Sequence, residues 1–426
     1  MLLTFRVRNF RSFRDEQEFS LIRSRRIAAH QDTQNTGRIG PSTVAGIYGS
    51  NASGKSNILD ALATMASMVA DSYAKWQPDS LMPHEPFALD PDLAQQNTTF
   101  EAEVLMDEVR YQYGFEFNST RVVREYLYAY PTGRRQTWFE REFDGVEEWY
   151  FGKGMTGRNR VIQEITRENS LFLSAAASAK HKQLGSLYAL FARNIRMASP
   201  ENFDERLRFT IAELESQPAL AEQLTKLLRA SDLGIRDIQV RHRELTPEVR
   251  EKLRMLTEAM SADLLSDTKY RSDELLEEAF RAVTSSVELS HSGSIGHAPI
   301  PLPFSSESLG TRALIALGGP ALACLRNAHT MLVDEVDASL HPRLVVELIK
   351  LFNSAETNPY GAQLIFTSHD TTLLGNLVGD AAPLERDQIW FVQKDADGAS
   401  SLYPLTHFKP RRLVRQPQCV ITVGVS

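Results

Sequence analysis

The consecutive residues Gly49-Ser50-Asn51-Ala52-Ser53-Gly54-Lys55-Ser56 satisfy the pattern G-x-x-x-x-G-K-[ST] at every fixed position. Such a loop binds phosphate for a direct electrostatic reason. Its backbone N–H groups and the positive end of the helix that follows converge on phosphate oxygens. Lys55 adds a point charge for the β and γ phosphates, the Ser56 hydroxyl can hold Mg²⁺, and Asn57 follows in the same turn. The motif needs a strand before it and a helix after it, and both are legible. Thr43-Val44-Ala45-Gly46-Ile47-Tyr48 is short, apolar and partly β-branched, as a buried parallel strand is. Ile58, Ala61, Leu62, Met65, Met68 and Val69 recur at helical spacing. This context sets aside an accidental glycine-rich turn and implies a nucleotide site, with ATP and Mg²⁺ as the expected ligands.

Three further stretches can complete such a site. Thr330-Met331-Leu332-Val333 is an apolar strand ending in Asp334 and Glu335. Asp334 is expected to hold Mg²⁺, and Glu335 to orient and deprotonate the attacking water. Without the phosphate loop, the two acids would read as a solvated turn. Gln363-Leu364-Ile365-Phe366-Thr367 is a second buried strand, ending in Ser368-His369-Asp370. His369, at that strand's C-terminal edge, can donate to a γ-phosphate, whereas an isolated histidine is usually a surface or satisfied core residue. Ser305-Ser306-Glu307-Ser308-Leu309-Gly310-Thr311 opens a helix. It reads either as a plain N-cap, with Ser308 or Thr311 as the cap, or as a second phosphate-binding helix end. The second reading implies a nucleotide shared between two subunits.

The elements that must position these residues form an α/β chain. Of the 426 residues, 42% are hydrophobic and 24% charged, an ordinary globular composition that implies two or three structural units. Residues 1–173 read as an N-terminal lobe: a strand pair, the phosphate loop with its helix, and a meander of strands from Thr99 to about Phe151. Residues 174–285 read as a helical insertion, with helical candidates over 183–194, 201–230, 246–265 and 271–285 and breaks at Ser199-Pro200, Gln217-Pro218 and Thr246-Pro247. Residues 286–426 open with short strands over 286–304 and form a C-terminal lobe. It alternates helix 309–326, strand 330–334, helix 342–353, strand 362–367, helix 371–378 and strand 388–393. That alternation predicts a parallel, helix-covered sheet. The two cysteines, Cys324 and Cys419, cannot build a disulfide framework and fit a reducing, cytoplasmic compartment. No apolar run reaches the roughly 20 residues of a bilayer span, so no membrane partner is expected. The N-terminus reads as a strand, not a signal peptide. A net charge of −7 argues against a uniformly basic nucleic-acid coat.

Taken in order, Gly49–Ser56, Ser308–Thr311, Asp334-Glu335, Asp337-Ala338-Ser339-Leu340-His341 and Ser368-His369 resemble the ATP-binding-cassette superfamily. The opening Val7-Arg8-Asn9-Phe10-Arg11-Ser12-Phe13 is similar to its DNA-repair and chromosome-maintenance branch, not to transporters. Pro86–Asp90, Arg110–Phe115, Glu307–Thr311 and Asp334–Pro342 further resemble bacterial "AAA family ATPase" proteins of abortive-infection and phage-defence loci. Those are related to the ATPase half of overcoming-lysogenization-defect proteins. The resemblance covers residues 1 to about 410. It implies a P-loop head with a mixed sheet, an antiparallel β subdomain and an inserted helical arm. It also implies that Ser308, Gly310 and Thr311 close on ATP held by a partner subunit, and that Asp337 lies in a loop at that interface. Arg11 falls near the phosphates by the same resemblance. Leu309 departs from the double-glycine signature of transporters, and the glutamine loop has four candidates: Gln77, Gln95, Gln96 and Gln112. The tail, from Arg411-Arg412-Leu413 to an apolar end, also departs from relatives.

The expected function is an ATPase switch whose ATP-dependent homodimerisation gates a partner effector, a nuclease or toxin encoded nearby, in bacterial phage defence. The alternative is a DNA-repair or recombination ATPase that clamps nucleic acid directly. It would use Arg121, Arg124, Arg134, Arg135 and Arg141, interleaved with Tyr126, Tyr128, Tyr130 and Trp138. A third reading, a nuclease using Asp395 and Asp397, is weaker, because Asp395-Ala396-Asp397-Gly398 suits a hairpin turn.

Overall fold

A computed structural model describes residues 1–23, 40–230, 234–242, 244, 246–262, 280, 284–292, 299–338, 340–375 and 382–408. Its centre is a six-stranded sheet whose middle strands are buried on both faces. Its strands are β3 (Val44–Tyr48), β9 (Ile195–Ala198), β13 (Thr330–Val333), β14 (Gln363–Ser368), β15 (Ile389–Lys394) and β16 (Ser400–Pro404), in the order β16-β15-β3-β14-β13-β9. All neighbours run parallel except the β15–β16 hairpin. A sheet covered on both faces must place apolar side chains alternately up and down. β3 does so: Ala45 and Ile47 enter one core, Val44 and Tyr48 the other. Leu332 and Ile365 join the first core, and Met331, Val333, Leu364 and Phe366 the second.

The first core lies between this sheet, helix α1 (Lys55–Asp71) and a seven-stranded antiparallel sheet. That sheet contains β1 (Leu2–Arg8), β2 (Gln17–Ser20), β4 (Thr98–Met106), β5 (Val109–Phe117), β6 (Val122–Tyr130), β7 (Gln136–Phe143) and β8 (Glu147–Phe151). Helices α2 (Asn159–Ile165), α3 (Phe172–Ser178) and α4 (Leu184–Ala192) follow it and pack into the same core. Gln363 sews the two sheets together: its Oε1 accepts from Leu2 N at 2.7 Å and its Nε2 donates to Leu2 O at 2.9 Å.

The second core is built on the opposite face by α5 (Phe203–Ser216), α6 (Pro218–Ala230), α8 (Leu309–Asn327) and α9 (Pro342–Asn353). A three-stranded sheet of β10 (Ile235–His242), β11 (Ser285–His291) and β12 (Ile300–Pro303) leans on it, and α7 (Pro247–Ala262) lies in the insertion. The overall class is therefore the expected α/β P-loop head with a mixed sheet and an antiparallel subdomain. No helix among the described residues is long and apolar enough to cross a membrane.

The stretch 174–285, expected to be helical, also contains strands. β9 is only four residues long and completes the central sheet beside β13. β10 escapes its period because a bulge between Ile235 and Asp237 breaks the alternation of Ile235 and Ile238. The helical candidate 201–230 divides at the expected break, Gln217-Pro218, where proline starts a new helix. Of the helix expected over 271–285, nearly all lies outside the described residues. The helix expected over 371–378 is a short 3-10 turn, Thr371–Leu374, before residues 376–381, which also lie outside them.

The antiparallel sheet is tied to α3 through a buried carboxylate. Glu125 accepts from Phe172 N at 2.7 Å, Leu173 N at 3.1 Å and the Tyr113 hydroxyl at 2.9 Å, so it caps a helix N-terminus from inside the core. Arg141, equally buried, donates to Ser170 O at 2.8 Å and lies 3.9 Å from Glu125. Burial pushes the Glu125 carboxyl up, and the Arg141 charge opposes that shift. Glu125→Ala leaves two helix N–H groups and the Tyr113 hydroxyl without their acceptor, and Arg141 with Glu147 as its remaining carboxylate. It should destabilise the fold by about 3–5 kcal/mol, read from urea unfolding, with Glu125→Gln costing less.

Candidate functional site

The C-terminal ends of β3, β13 and β14 meet because their parallel registers align, with Tyr48 opposite Ser368 and Val333 opposite Phe366. The loop after β3 is tight. Gly54, at φ 100, caps α1 in a left-handed conformation that a side chain rarely takes. A Cβ at Gly54 would come within 2.5 Å of both the Ser12 and Ser400 hydroxyls, and one at Gly49 within 2.4 Å of Val392 O. Ser50, Asn51 and Ala52 form the exposed rim, and Ser53 is buried beneath them. Lys55 Nζ donates to the loop carbonyls of Gly49 at 3.0 Å and Ser50 at 3.1 Å.

Across the sheet, Ser56 Oγ donates to Asp334 Oδ1 at 2.9 Å. The Thr367 hydroxyl donates to the same oxygen at 2.6 Å and accepts from Glu335 N at 2.7 Å. Thr367 therefore fixes both acids at once. Glu335 stands at φ 48 with its side chain in solvent, a strained backbone for a residue with a Cβ. His369 places Nδ1 2.7 Å from Asp337 Oδ2, and its backbone N–H donates to the same oxygen at 3.1 Å. The other Asp337 oxygen is buried without a partner. Hydroxyl plus carboxylate is the hard-oxygen donor set Mg²⁺ prefers, so Ser56 and Asp334 fit the ion in chemistry and placement.

Other expected residues stand apart from this cluster. Ser308 Oγ accepts from Thr311 N at 3.1 Å, so Ser308 is the N-cap of α8, with Thr311 buried behind it and the Leu309 side chain 76% exposed. The first-turn N–H groups of Leu309 and Gly310 have no intrahelical acceptor, as at any helix start. Arg11, at φ 48, bonds Asp60 on α1 and donates through Nε to Glu85 at 2.6 Å, so acidic groups hold it one turn beyond Ser56. Burial raises the Asp60 carboxyl, and Arg11 opposes the shift.

None of the four glutamines stands beside Asp334. Gln112, on β5, bonds Glu101 and the Tyr130 hydroxyl, and Gln77, Gln95 and Gln96 lie in the connection before β4. β13 lies between β14 and β9, and the loop after β9, Ser199-Pro200-Glu201-Asn202, holds no glutamine.

Two functional residues left no local signal. Ser400 Oγ reaches Ser53 O at 2.6 Å and Ser12 Oγ at 2.8 Å, Asn57 Nδ2 donates to Ser12 Oγ at 2.6 Å, and Ser400 N donates to Ser12 O at 2.7 Å. They clamp the phosphate loop from opposite ends of the chain.

Of the five meander arginines, Arg121 and Arg141 are engaged by acids, while Arg124, Arg134 and Arg135 are exposed. Arg141 is buried, Arg121 stacks on Phe143 with Glu168 at 3.5 Å, and Arg124 and Arg135 lie over Tyr126 and Tyr128. The hydroxyls of those tyrosines bond Glu101 and Glu140. Asp395 accepts from Asp397 N at 3.0 Å and Ala399 N at 2.8 Å, which makes the pair a hairpin turn. Among the described residues, no group of three or more His, Cys, Asp or Glu side chains is placed to hold a metal.

Residues 44–375, from the first strand of this site to just beyond its histidine, match the family described as "AAA domain, putative AbiEii toxin, Type IV TA system". The chain belongs to this AAA-domain family. No curated protein matches it. Solved structures similar to this AAA protein include an SMC head bound to the C-terminal winged-helix domain of ScpA, at 13% identity and TM-score 0.45, covering 95% of this chain and 97% of that one. Another is the SMC head domain from Thermotoga maritima, at 14% identity and TM-score 0.42, covering 95% and 98%. A third is an SMC head with an extended coiled coil, bound to the C-terminal domain of ScpA, from Pyrococcus furiosus. It has 14% identity and TM-score 0.37 and covers 95% and 96%.

For this AAA-type ATPase the geometry makes Thr367 a positioning residue. Thr367→Val should lower ATP turnover roughly 10–100-fold, because both acids lose their shared anchor. Binding of a fluorescent ATP analogue should change far less, and equal losses in both would contradict the assignment.

Proposed function

We propose that this AAA ATPase is a nucleotide switch: ATP binding draws two copies together, hydrolysis releases them, and the change gates a partner protein. The observation that carries the reading is the start of α8. Ser308, Gly310 and the exposed Leu309 form a helix N-terminus suited to phosphate, yet this chain's own phosphate loop is served by Asp334, Glu335 and His369. A second copy would supply the missing phosphate. The unpartnered oxygen of Asp337, beside His369, supports a contact that forms only on closure.

In the chemical step, water attacks the γ-phosphorus, its O–P bond forming as the bond to the β-bridging oxygen breaks. Glu335 takes the water proton, Lys55 neutralises charge on the β and γ oxygens, and His369 donates to the γ-phosphate. Mg²⁺ held by Ser56 and Asp334 would supply Lewis-acid stabilisation of the phosphate charge. ATP can drive dimerisation only by binding the closed pair more tightly than the open chain. The family description names a putative toxin and a type IV toxin–antitoxin system, which supports an association with toxin activity; the separate gated effector and the role in phage defence are part of this proposal. Arg121 and Arg141 are held by acids, which counts against those two clamping nucleic acid directly.

Glu335→Gln removes only the base. ATP binding should persist while turnover falls by roughly 10²–10⁴, and the solution mass should double on adding ATP and Mg²⁺. Lys55→Ala should abolish nucleotide binding and leave the mass unchanged. A Glu335→Gln protein with wild-type turnover, or with a mass indifferent to ATP, would refute the base or the switch respectively.

A further inference from the structure

Behind Asp334 and Glu335, on the side formed by α5 and α8, lies a cavity of about 270 Å³. Its walls include Ser199, Arg206, Leu309 and Arg312 as well as the two acids. Both arginines are half-buried, and the Nε of each is buried with no acceptor. Each guanidinium lies 6.0 Å from the Phe203 ring centroid, and Arg312 is also 5.1 Å from that of Phe304. Arg206 makes one side-chain hydrogen bond, to Ser199 O at 3.0 Å, and among the described residues neither arginine has a carboxylate partner. Other desolvated arginines are better compensated: Arg141 has Glu147, Arg326 has Glu213, Arg6 has Glu18 and Glu101, and Arg167, also without a carboxylate among the described residues, donates to the Ser72, Tyr73 and Trp76 carbonyls. Burial alone lowers the Arg206 pKa, the mark of a cation without compensation.

Two desolvated cations sharing one ring, with Asp334 and Glu335 on the same cavity but no described carboxylate in ion-pair contact, are costly unless an anion joins them. A guanidinium fork matches a tetrahedral oxyanion, and the N-terminal turn of α8 adds positive potential at the same wall. We infer that this cavity is a phosphate site that receives the inorganic phosphate released by hydrolysis. The inference rests on the ATPase reading for the origin of the phosphate, but not for its binding. Asp334 and Glu335 share the wall, so a titration run without turnover reads the arginines' hold on phosphate against both acids.

The test is calorimetric titration of inorganic phosphate into full-length protein. Lys55→Ala serves as background to remove the phosphate loop's contribution. That protein should bind phosphate, and adding Arg206→Met with Arg312→Met should weaken binding roughly tenfold or more. A Lys55→Ala protein that takes up no phosphate, or a triple variant that binds it equally well, overturns the proposal. If the methionine variants fail to fold by circular dichroism, Arg206→Lys with Arg312→Lys keeps the charges and removes the forks. Its affinity should drop, and unchanged affinity would overturn the site. Phosphate inhibition of steady-state turnover should weaken in parallel in the double variant with Lys55 intact. Wild-type protein without ATP turnover would defeat the ATPase reading and the hydrolytic origin, while the titration still decides the site.

Discussion

The site depends on one carboxylate oxygen. Asp334 Oδ1 accepts from Ser56, at the start of α1, and from Thr367, at the end of β14, so the phosphate loop and two neighbouring strand ends converge on a single acceptor. The parallel register of β3, β14 and β13 makes this meeting unavoidable. A one-residue slip in any of these strands would turn its alternating side chains from one core to the other. The two hydrophobic cores therefore fix the catalytic register: Leu332 and Ile365 on one face and Met331 and Phe366 on the other hold the strands that carry Asp334, Thr367 and His369.

Around that acceptor, contacts from both ends of the chain hold the loop. The turn Asn9–Arg14 is gripped on three sides, by Asp60 and Glu85 through Arg11, by Asn57 and Ser400 through Ser12, and by Asp395 and Asp397 through Arg14. Asn9 and Arg11 both adopt positive φ, so the turn is strained and the contacts over-determine it. The Ser400 hydroxyl has a single proton and two acceptors within reach, Ser12 Oγ and Ser53 O. A small movement of the hairpin would shift that proton from one to the other without breaking the fold.

How much the sequence discloses follows from how local each signal is. The phosphate loop, the acidic strand end and the histidine after β14 are contiguous motifs flanked by the strand and helix they require, and all were legible. The long strands of the meander alternate cleanly and were legible too. What stayed hidden is non-local or too short. Ser12 and Ser400 lie far apart in the chain and meet only across the hairpin. β9 offers four residues with no period to count. The bulge in β10 erases the alternation that would have marked it. Arginines in the meander looked like a uniform basic stripe because the acids that hold two of them, Glu168 for Arg121 and Glu147 for Arg141, come from beyond their own strands.

The same geometry suits the loop to nucleotide. Lys55 now satisfies its ammonium with the Gly49 and Ser50 carbonyls, both neutral acceptors. A phosphate oxygen is a charged acceptor and forms the stronger hydrogen bond, so nucleotide displaces these contacts at little cost. Glu335 is held differently. Its backbone is strained at φ 48 and pinned by Thr367, while its carboxylate lies free in solvent. Relaxing that strain requires a new contact, and closure against a second copy would provide one. Arg206 and Arg312 line a cavity with the same acid, and the Nε of each is buried without an acceptor.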